Sequence, residues 1–392
     1  LKPELLTSVL DSFNRLCNEA DIVVVEGAGS VAEVNLRKGD IANMGFATAA
    51  DVPTILVGDI DRGGVIAQVV GSKAVIASND AAQIQGFIIN KFRGDPTLFE
   101  DGMRLIEDHS SWTGFGLVPF FERCRDLPPE DAVALQQAPQ SKQSTDAALK
   151  IVVTGYPRIS NFDDFDPLKQ EPTVDLKFIR SGDPIPGDAD LVVLPGSKAT
   201  IADLTAFRKT GWDIDLQAHI HRGGHVLGIC GGYQMLGNTI HDPDGIEGTP
   251  GSVEGLGLLD IETHLTGNKT LSETAGTNLL TNAPFAGYEM HVGRTTGPDC
   301  AHPLVNTTTD GGDGAIDKTR RISGCYIHGL FNDDKQRASW LTHLGYPASN
   351  FDYEATVDAT LDALADHLEN HIDIDGLLDI ARPPKIKEQA DR

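Results

Sequence analysis

The chain has 392 residues, with 57 acidic against 32 basic side chains and a formal net charge of −25, which argues against nucleic acid or an anionic membrane as partner. That length suits two domains, each with its own core, and no apolar run approaches the length needed to span a bilayer. Cysteines at 17, 124, 230, 300 and 325 show no C-x-x-C spacing and no signal peptide is visible, so a reducing, cytoplasmic setting is expected. The acidity is spread along the chain rather than gathered in a tail. That pattern keeps a protein hydrated in concentrated salt, so a halophilic source is expected, with stability that climbs as KCl is added.

Along the first third, strand-like runs alternate with helical stretches and Gly-rich turns, the rhythm of a parallel sheet: Ile22–Val25, Thr54–Val57 and Phe87–Ile89. The first run ends in Glu26 and a small-residue loop, Gly27-Ala28-Gly29-Ser30. That geometry sets a carboxylate beside a phosphate-sized cavity, where it can hold Mg²⁺. The second is followed by Asp59, Asp61 and Arg62, with Asp59 a further metal candidate, and the third ends in Asn90, placed to hydrogen-bond an adenine edge. Gln136–Thr145 is polar and aperiodic, as a linker is. The expected division is therefore 1–135, a linker at 136–149, 150–350 and a helical tail at 351–392.

A second α/β series opens at Lys150–Val153 and includes the buried run Leu191–Leu194, which ends in Pro195-Gly196-Ser197. Asp260 to Asn282 reads as loop-rich. In the tail, Val357, Leu361, Leu364 and Leu368 recur at helical period. The most specific stretch is Gly228-Ile229-Cys230-Gly231-Gly232-Tyr233-Gln234, directly after Val226-Leu227. It predicts a strand, a Gly-flanked cysteine in a sharp corner, and a helix from Tyr233, whose N-terminus favours thiolate. A base is offered by His328, at the polar end of a predicted strand through Cys325-Tyr326-Ile327. Backbone N–H groups near Gly196 and Gly231 are then placed to form an oxyanion hole. Alone, Cys230 would read as a small core residue and His328 as a satisfied histidine; the flanking glycines and the pairing favour the nucleophile. His219, His221 and His225 read as a solvated helix end rather than a metal site, and Cys325 as strand packing.

These pieces, in this order, resemble the class I glutamine amidotransferase domain. The resemblance implies that Cys230 attacks the side-chain amide of glutamine, His328 shuttles the proton, ammonia leaves from a thioester, and Gln234 helps hold the glutamine. Most of that family carries Glu two residues after the histidine, where this sequence has Leu330. Glu289 is a candidate substitute, and a Cys–His dyad is workable without one. The strand ends of the first third resemble the dethiobiotin-synthetase-like ATPase fold.

The chain as a whole resembles the cobyric acid synthase family through E-G-A-G-S-V-A-E-V-N-L (26–36), D-I-A-N-M-G-F-A (40–47), D-I-D-R-G-G-V (59–65), I-N-K-F-R-G-D (89–95), R-I-S-N-F-D-D-F-D-P-L (158–168), L-P-G-S-K-A-T (194–200), G-I-C-G-G-Y-Q-M-L-G (228–237), G-Y-E-M-H-V-G (287–293) and H-G-L-F (328–331). Segment 158–168 is absent from general amidotransferases. The implied fold class is two doubly wound α/β domains, an N-terminally incomplete P-loop-type ATPase domain followed by a flavodoxin-like class I glutamine amidotransferase domain.

The implied activity is a C–N ligase reaction that uses glutamine, ATP and Mg²⁺, with no prosthetic group. It amidates the b, d, e and g carboxylates of adenosylcobyrinic acid a,c-diamide in cobalamin biosynthesis. That corrinoid is polyanionic, so Arg37, Arg62 and Arg93, with Lys38 and Lys91, are the candidates to offset repulsion from an acidic protein. The family opens with a phosphate loop of the form G-x-x-x-x-G-K-[ST], which does not occur in this sequence. An N-terminally truncated synthetase half, with glutaminase activity alone, is therefore an expectation. Two other readings stay open: cobyrinic acid a,c-diamide synthase, against which 158–168 and I-N-K-F-R-G-D weigh, and a non-catalytic scaffold with a decayed ATPase, against which the Cys230 motif weighs.

Overall fold

The computed structural model describes residues 2–128, 148–309 and 311–383. The chain gathers into two compact units, Leu1–Cys124 with Thr360–Arg392, and Arg125–Ala359. The linker expected at 136–149 falls mostly on 129–147, outside the described residues.

The first unit holds a parallel sheet of β1 (Thr54–Asp59), β2 (Ile84–Phe92) and β3 (Thr113–Pro119), in that order. Its helices are α1 (Lys2–Glu19), α2 (Met44–Ala50), α3 (Val65–Val75), α4 (Ser78–Gln83) and α5 (Glu100–Ser110). Central β2 turns Phe87 and Ile89 to one face, where they join Val65 and Val69 of α3 and Ile106 of α5 in one apolar cluster. The β1–β2 register sets Asp59 opposite Asn90, so these two strand ends share one sheet edge. The run Ile22–Val25 is not a strand: Ile22 and Val24 are 58% and 92% exposed, and only Val23 packs, against the Phe13 cluster. An apolar run becomes a strand only when a neighbour takes its backbone groups, and no described strand pairs with this one.

The predicted tail is helical at Tyr353–Glu369 and Ile374–Ile380, and from Thr360 onward it belongs to this first unit. His367 Nε2 meets the Pro119 carbonyl at 2.9 Å and the Asp373 N–H donates to the Phe115 carbonyl at 2.7 Å. A bridge between Gly116 and Ile372 covers the outer edge of β3.

The second unit contains β4 (Leu149–Thr154), β5 (Ile159–Ser160), β6 (Val174–Ile179), β7 (Leu191–Leu194), β8 (Gly196–Ser197), β9 (His225–Ile229), β10 (Thr239–Asp242), β11 (Gly251–Glu254) and β12 (Glu262–Asn278). It continues with β13 (Ala283–Thr296), β14 (Val305–Thr307), β15 (Gly311–Asp313), β16 (Ala315–Ile316), β17 (Ile322–Cys325) and β18 (Ile327–His328). Its helices are α6 (Asp166–Gln170), α7 (Thr200–Thr210), α8 (Trp212–His221), α9 (Gly231–Leu236) and α10 (Asp334–His343). One sheet runs β16-β17-β9-β7-β4-β6, parallel except at the β16 edge, with fully buried Leu191–Leu194 at its centre.

A second sheet is built around the β12–β13 hairpin, in the order β11-β10-β12-β13-β18. Half of this hairpin lies in the stretch expected to be loop. Its polar, Thr-rich sequence carries no strong apolar run, so pairing to neighbours decides the strand rather than propensity; inward alternation shows at Ile261, Thr263 and Leu265 and again at Ala283 and Phe285. His219 is also not solvated. It is 1% exposed, its Nε2 meets the His225 carbonyl at 2.9 Å, and burial lowers its pKa.

A buried ion pair ties two segments of this unit together. Arg337 on α10 is fully buried, with Nε on Glu171 at 2.6 Å and Nη2 on Asp334 and the Phe351 carbonyl. Removing one member of such a pair strands the other charge. Arg337→Ala is expected to cost about 3–5 kcal/mol of stability, measured by urea unfolding.

Candidate active site

Cys230 sits where β9 turns into α9, with φ 52° and ψ −111°, a conformation that L-residues adopt only when the surroundings enforce it. The glycines around it are required by close approach: a Cβ at Gly232 would collide with the Leu194 carbonyl, and one at Gly228 would lie 2.7 Å from the Tyr233 backbone nitrogen. The thiol donates to the Met290 carbonyl on β13 at 3.3 Å.

His328 ends β18, opposite Tyr288 on β13, whose ring stacks on the imidazole at 5.3 Å between centroids. The imidazole is fully buried, and its Nδ1 donates to Asp164 Oδ2 at 2.7 Å. Asp164 Oδ1 accepts the Gly329 N–H at 2.8 Å. Asp164 is therefore the orienting carboxylate that the sequence did not reveal. Glu289 does not fill that role: it pairs with His291 Nε2 at 2.5 Å, and on its strand it alternates with Tyr288, the residue that faces His328.

Holding the proton on Nδ1 leaves Nε2 as the working nitrogen, and Nε2 has no hydrogen-bond partner among the described residues. Burial opposes charging the ring, but the charge and hydrogen bond of Asp164, with the Cys230 sulfur nearby, raise the His328 pKa to about 10.

Segment 158–168 assembles the rest. Ser160 on β5 pairs with Gly196 on β8, Asn161 donates to the Tyr288 hydroxyl at 2.8 Å, and Asp164 lies on the turn Phe162–Phe165. A Cβ on Gly196 would stand 3.3 Å from His328 Cε1, and one on Gly231 3.0 Å from the Ser197 nitrogen, so the Pro195-Gly196-Ser197 turn lies against both the base and the elbow. Gln234 is only 3% exposed and is committed elsewhere: its Oε1 accepts from Thr200, and its Nε2 donates to the Val292 carbonyl and the Tyr326 hydroxyl. It positions the elbow and β13 and has no free group with which to hold glutamine.

In the first unit, Asp59 Oδ2 is paired with Lys91 at 2.8 Å, and its pKa is lowered by Lys91 and the Asp61 N–H against the opposing effect of burial. Asn90 Oδ1 accepts the Lys91 N–H at 2.7 Å. Arg93 is held on Asp61 at 2.7 Å and over the Phe120 ring at 3.6 Å. Arg37 is not available to a substrate in this arrangement: it forks onto buried Asp80 at 2.6 and 2.8 Å. Glu26 and Arg62 are exposed and make no hydrogen bond or ion pair among the described residues.

Residues 150–336 match the family model of the CobB/CobQ-like glutamine amidotransferase domain, and residues 4–126 match an AAA domain. Cobyric acid synthase of Bradyrhizobium sp. (strain BTAi1) is 60% identical over 385 residues, 98% of this chain and 78% of that protein. Those of Methylorubrum populi and Jannaschia sp. are 58% and 56% identical, each across 97% of this chain and 78% of its own length. The chain belongs to the cobyric acid synthase family. In this member of the family, segment 158–168 carries the carboxylate, Asp164, that holds His328 Nδ1.

Asp164→Asn keeps the shape but frees the wrong tautomer. Glutamine hydrolysis is expected to fall about 10²–10⁴-fold in kcat with little change in KM, read by glutamate release. The pair's contribution to stability is complete below the ordinary histidine pKa of 6.5 and fades as pH rises towards about 10. A thermal-unfolding series across that range should lose this alkaline slope in Asp164→Asn.

Proposed function

We propose that the chain hydrolyses glutamine at Cys230 and uses the nitrogen to amidate the b, d, e and g carboxylates of adenosylcobyrinic acid a,c-diamide, at the expense of ATP, in a salt-rich cytoplasm. The Cys230–His328–Asp164 arrangement carries the first half of this reading, and family membership supports the second. Cys230 gives its proton to His328 Nε2 and its sulfur attacks the amide carbon. Charge on the amide oxygen is met by N–H groups at Gly196 and Gly231. His328 returns the proton to the departing nitrogen, ammonia leaves, and a thioester remains. Water, deprotonated by His328, then releases glutamate and restores the thiol.

A carboxylate resists attack by ammonia, so it must first become an acyl phosphate by accepting a phosphoryl group from ATP; ammonia then displaces phosphate. Mg²⁺ needs only one or two carboxylates alongside its waters and would neutralise phosphate charge. Exposed, unpartnered Glu26 fits that demand, whereas Asp59 does so only once Lys91 leaves it. Among the cation candidates, Arg62 and Lys38 are exposed and make no hydrogen bond or ion pair among the described residues, and Arg62 follows the strand end that carries Asp59.

Cys230→Ala is expected to abolish glutamate release in a coupled assay. Release that persists in that variant would sink the proposal. Arg62→Glu is expected to weaken corrinoid binding in equilibrium titration, and unchanged affinity would remove Arg62 from the substrate site.

A further inference from the structure

We propose that His241, Glu262 and His264 form a transition-metal site of Zn²⁺ type on the open face of the second sheet, apart from the cysteine chemistry. Strands β10 and β12 run parallel for only three residue pairs: Thr239 with Glu262, Ile240 with Thr263, and His241 with His264. Facing residues on adjacent strands share a sheet face, and the period of two puts Glu262 on that face with His264. One donor atom from each residue lies within 4.8 Å of the others, and His241 Nε2 is 3.3 Å from Glu262 Oε2.

The second layer supports the same reading. Ser252, opposite His241 on β11, holds Nδ1 at 2.8 Å, which leaves Nε2 turned towards Glu262. A hydrogen bond on the far nitrogen is how a ligating imidazole is normally oriented. The two imidazoles stack with their centroids 4.3 Å apart, which keeps both rings over the same part of the sheet. His264 is exposed and makes no hydrogen bond among the described residues, so its ring is free to turn a nitrogen into line.

Two imidazole nitrogens and one carboxylate oxygen are borderline donors that suit Zn²⁺, Co²⁺ or Ni²⁺ better than Mg²⁺ or Ca²⁺, with water completing a tetrahedron. On the same face, Glu254 and Glu262 outnumber Arg294, which sits opposite His264.

Such an ion would clip together the two ends of the excursion between β10 and β12. That excursion reaches the active-site side of the unit. Asp242 accepts the Ile246 and Glu247 N–H groups, and Glu247 accepts the Ile201 N–H at 2.9 Å, beside the Thr200 that donates to Gln234.

The test is calorimetric titration of the chelator-stripped full chain with Zn²⁺, alongside Co²⁺ absorption spectra. One equivalent is expected, with no sulfur-to-metal charge-transfer band. Binding should be lost in His264→Ala and in His241→Ala and weakened about 10–100-fold in Ser252→Ala, with circular dichroism unchanged in each. Full binding retained by His264→Ala, binding abolished only by Cys230→Ala, or no saturable binding at all would overturn the assignment.

Discussion

A histidine sealed from water loses the hydration that would stabilise its cation, so His328 can take a proton from Cys230 only if an anion stands against its other nitrogen. Asp164 is that anion, and much of the second unit serves to keep it there. Phe165 and Leu168, just beyond it, are rooted in the main core. Glu171, at the end of the same segment, is gripped by Arg337 a few residues after His328. The two ends of the hydrogen bond therefore lie on segments fastened to each other by core packing and by a buried ion pair. Neighbouring acids are kept from competing: burial raises Asp163, and raises Asp166 to about 7, aided by the charge on Asp164. The pocket is thus biased towards a single anion, held on the imidazole.

The nucleophile is fixed by strain rather than by charge. Positive φ at a non-glycine residue costs about 1–3 kcal/mol and survives only where packing leaves no alternative. Here the constraint comes from Gly232, which lets α9 approach β7, and Gly228, which lets the start of α9 fold back on β9, so closely that Cys230 must project outward. Gln234 then ties α9 to Thr200, Val292 and Tyr326. The Gly232 N–H donates to the Pro195 carbonyl at 3.0 Å, so hydrogen bonds join the elbow both to the Pro195-Gly196 turn and to the hairpin strand that carries Met290.

What was legible in the sequence was what is encoded locally. The elbow carries its own reason for each glycine, and the strand ends at Asp59 and Asn90 follow from apolar runs that do pair. Asp164 was hidden because it lies far upstream of His328 and meets it only through the fold; its sole signal was the acid-rich run Asp163-Asp164-Phe165-Asp166. The run at Ile22–Val25 and the polar β12 misled in opposite directions for one reason: strand formation is decided by the partner ladder, which composition does not contain.

Burial also separates the cations that a polyanionic substrate can recruit from those it cannot. Lys91 with Asp59 and Arg93 with Asp61 are pairs in which both side chains are substantially exposed. Pairs of that kind are screened by salt and water and contribute little, so a phosphate or carboxylate can take the cation without a large penalty. The Arg37 pair differs, because its Asp80 side chain is only 6% exposed and would be left charged and unpaired. A substrate that drew Lys91 away would at the same time release Asp59, beside Arg62 and across from Asn90. In the proposed reaction, one exchange of partners would then supply a cation to the anionic substrate and a carboxylate to the Mg²⁺ that accompanies ATP.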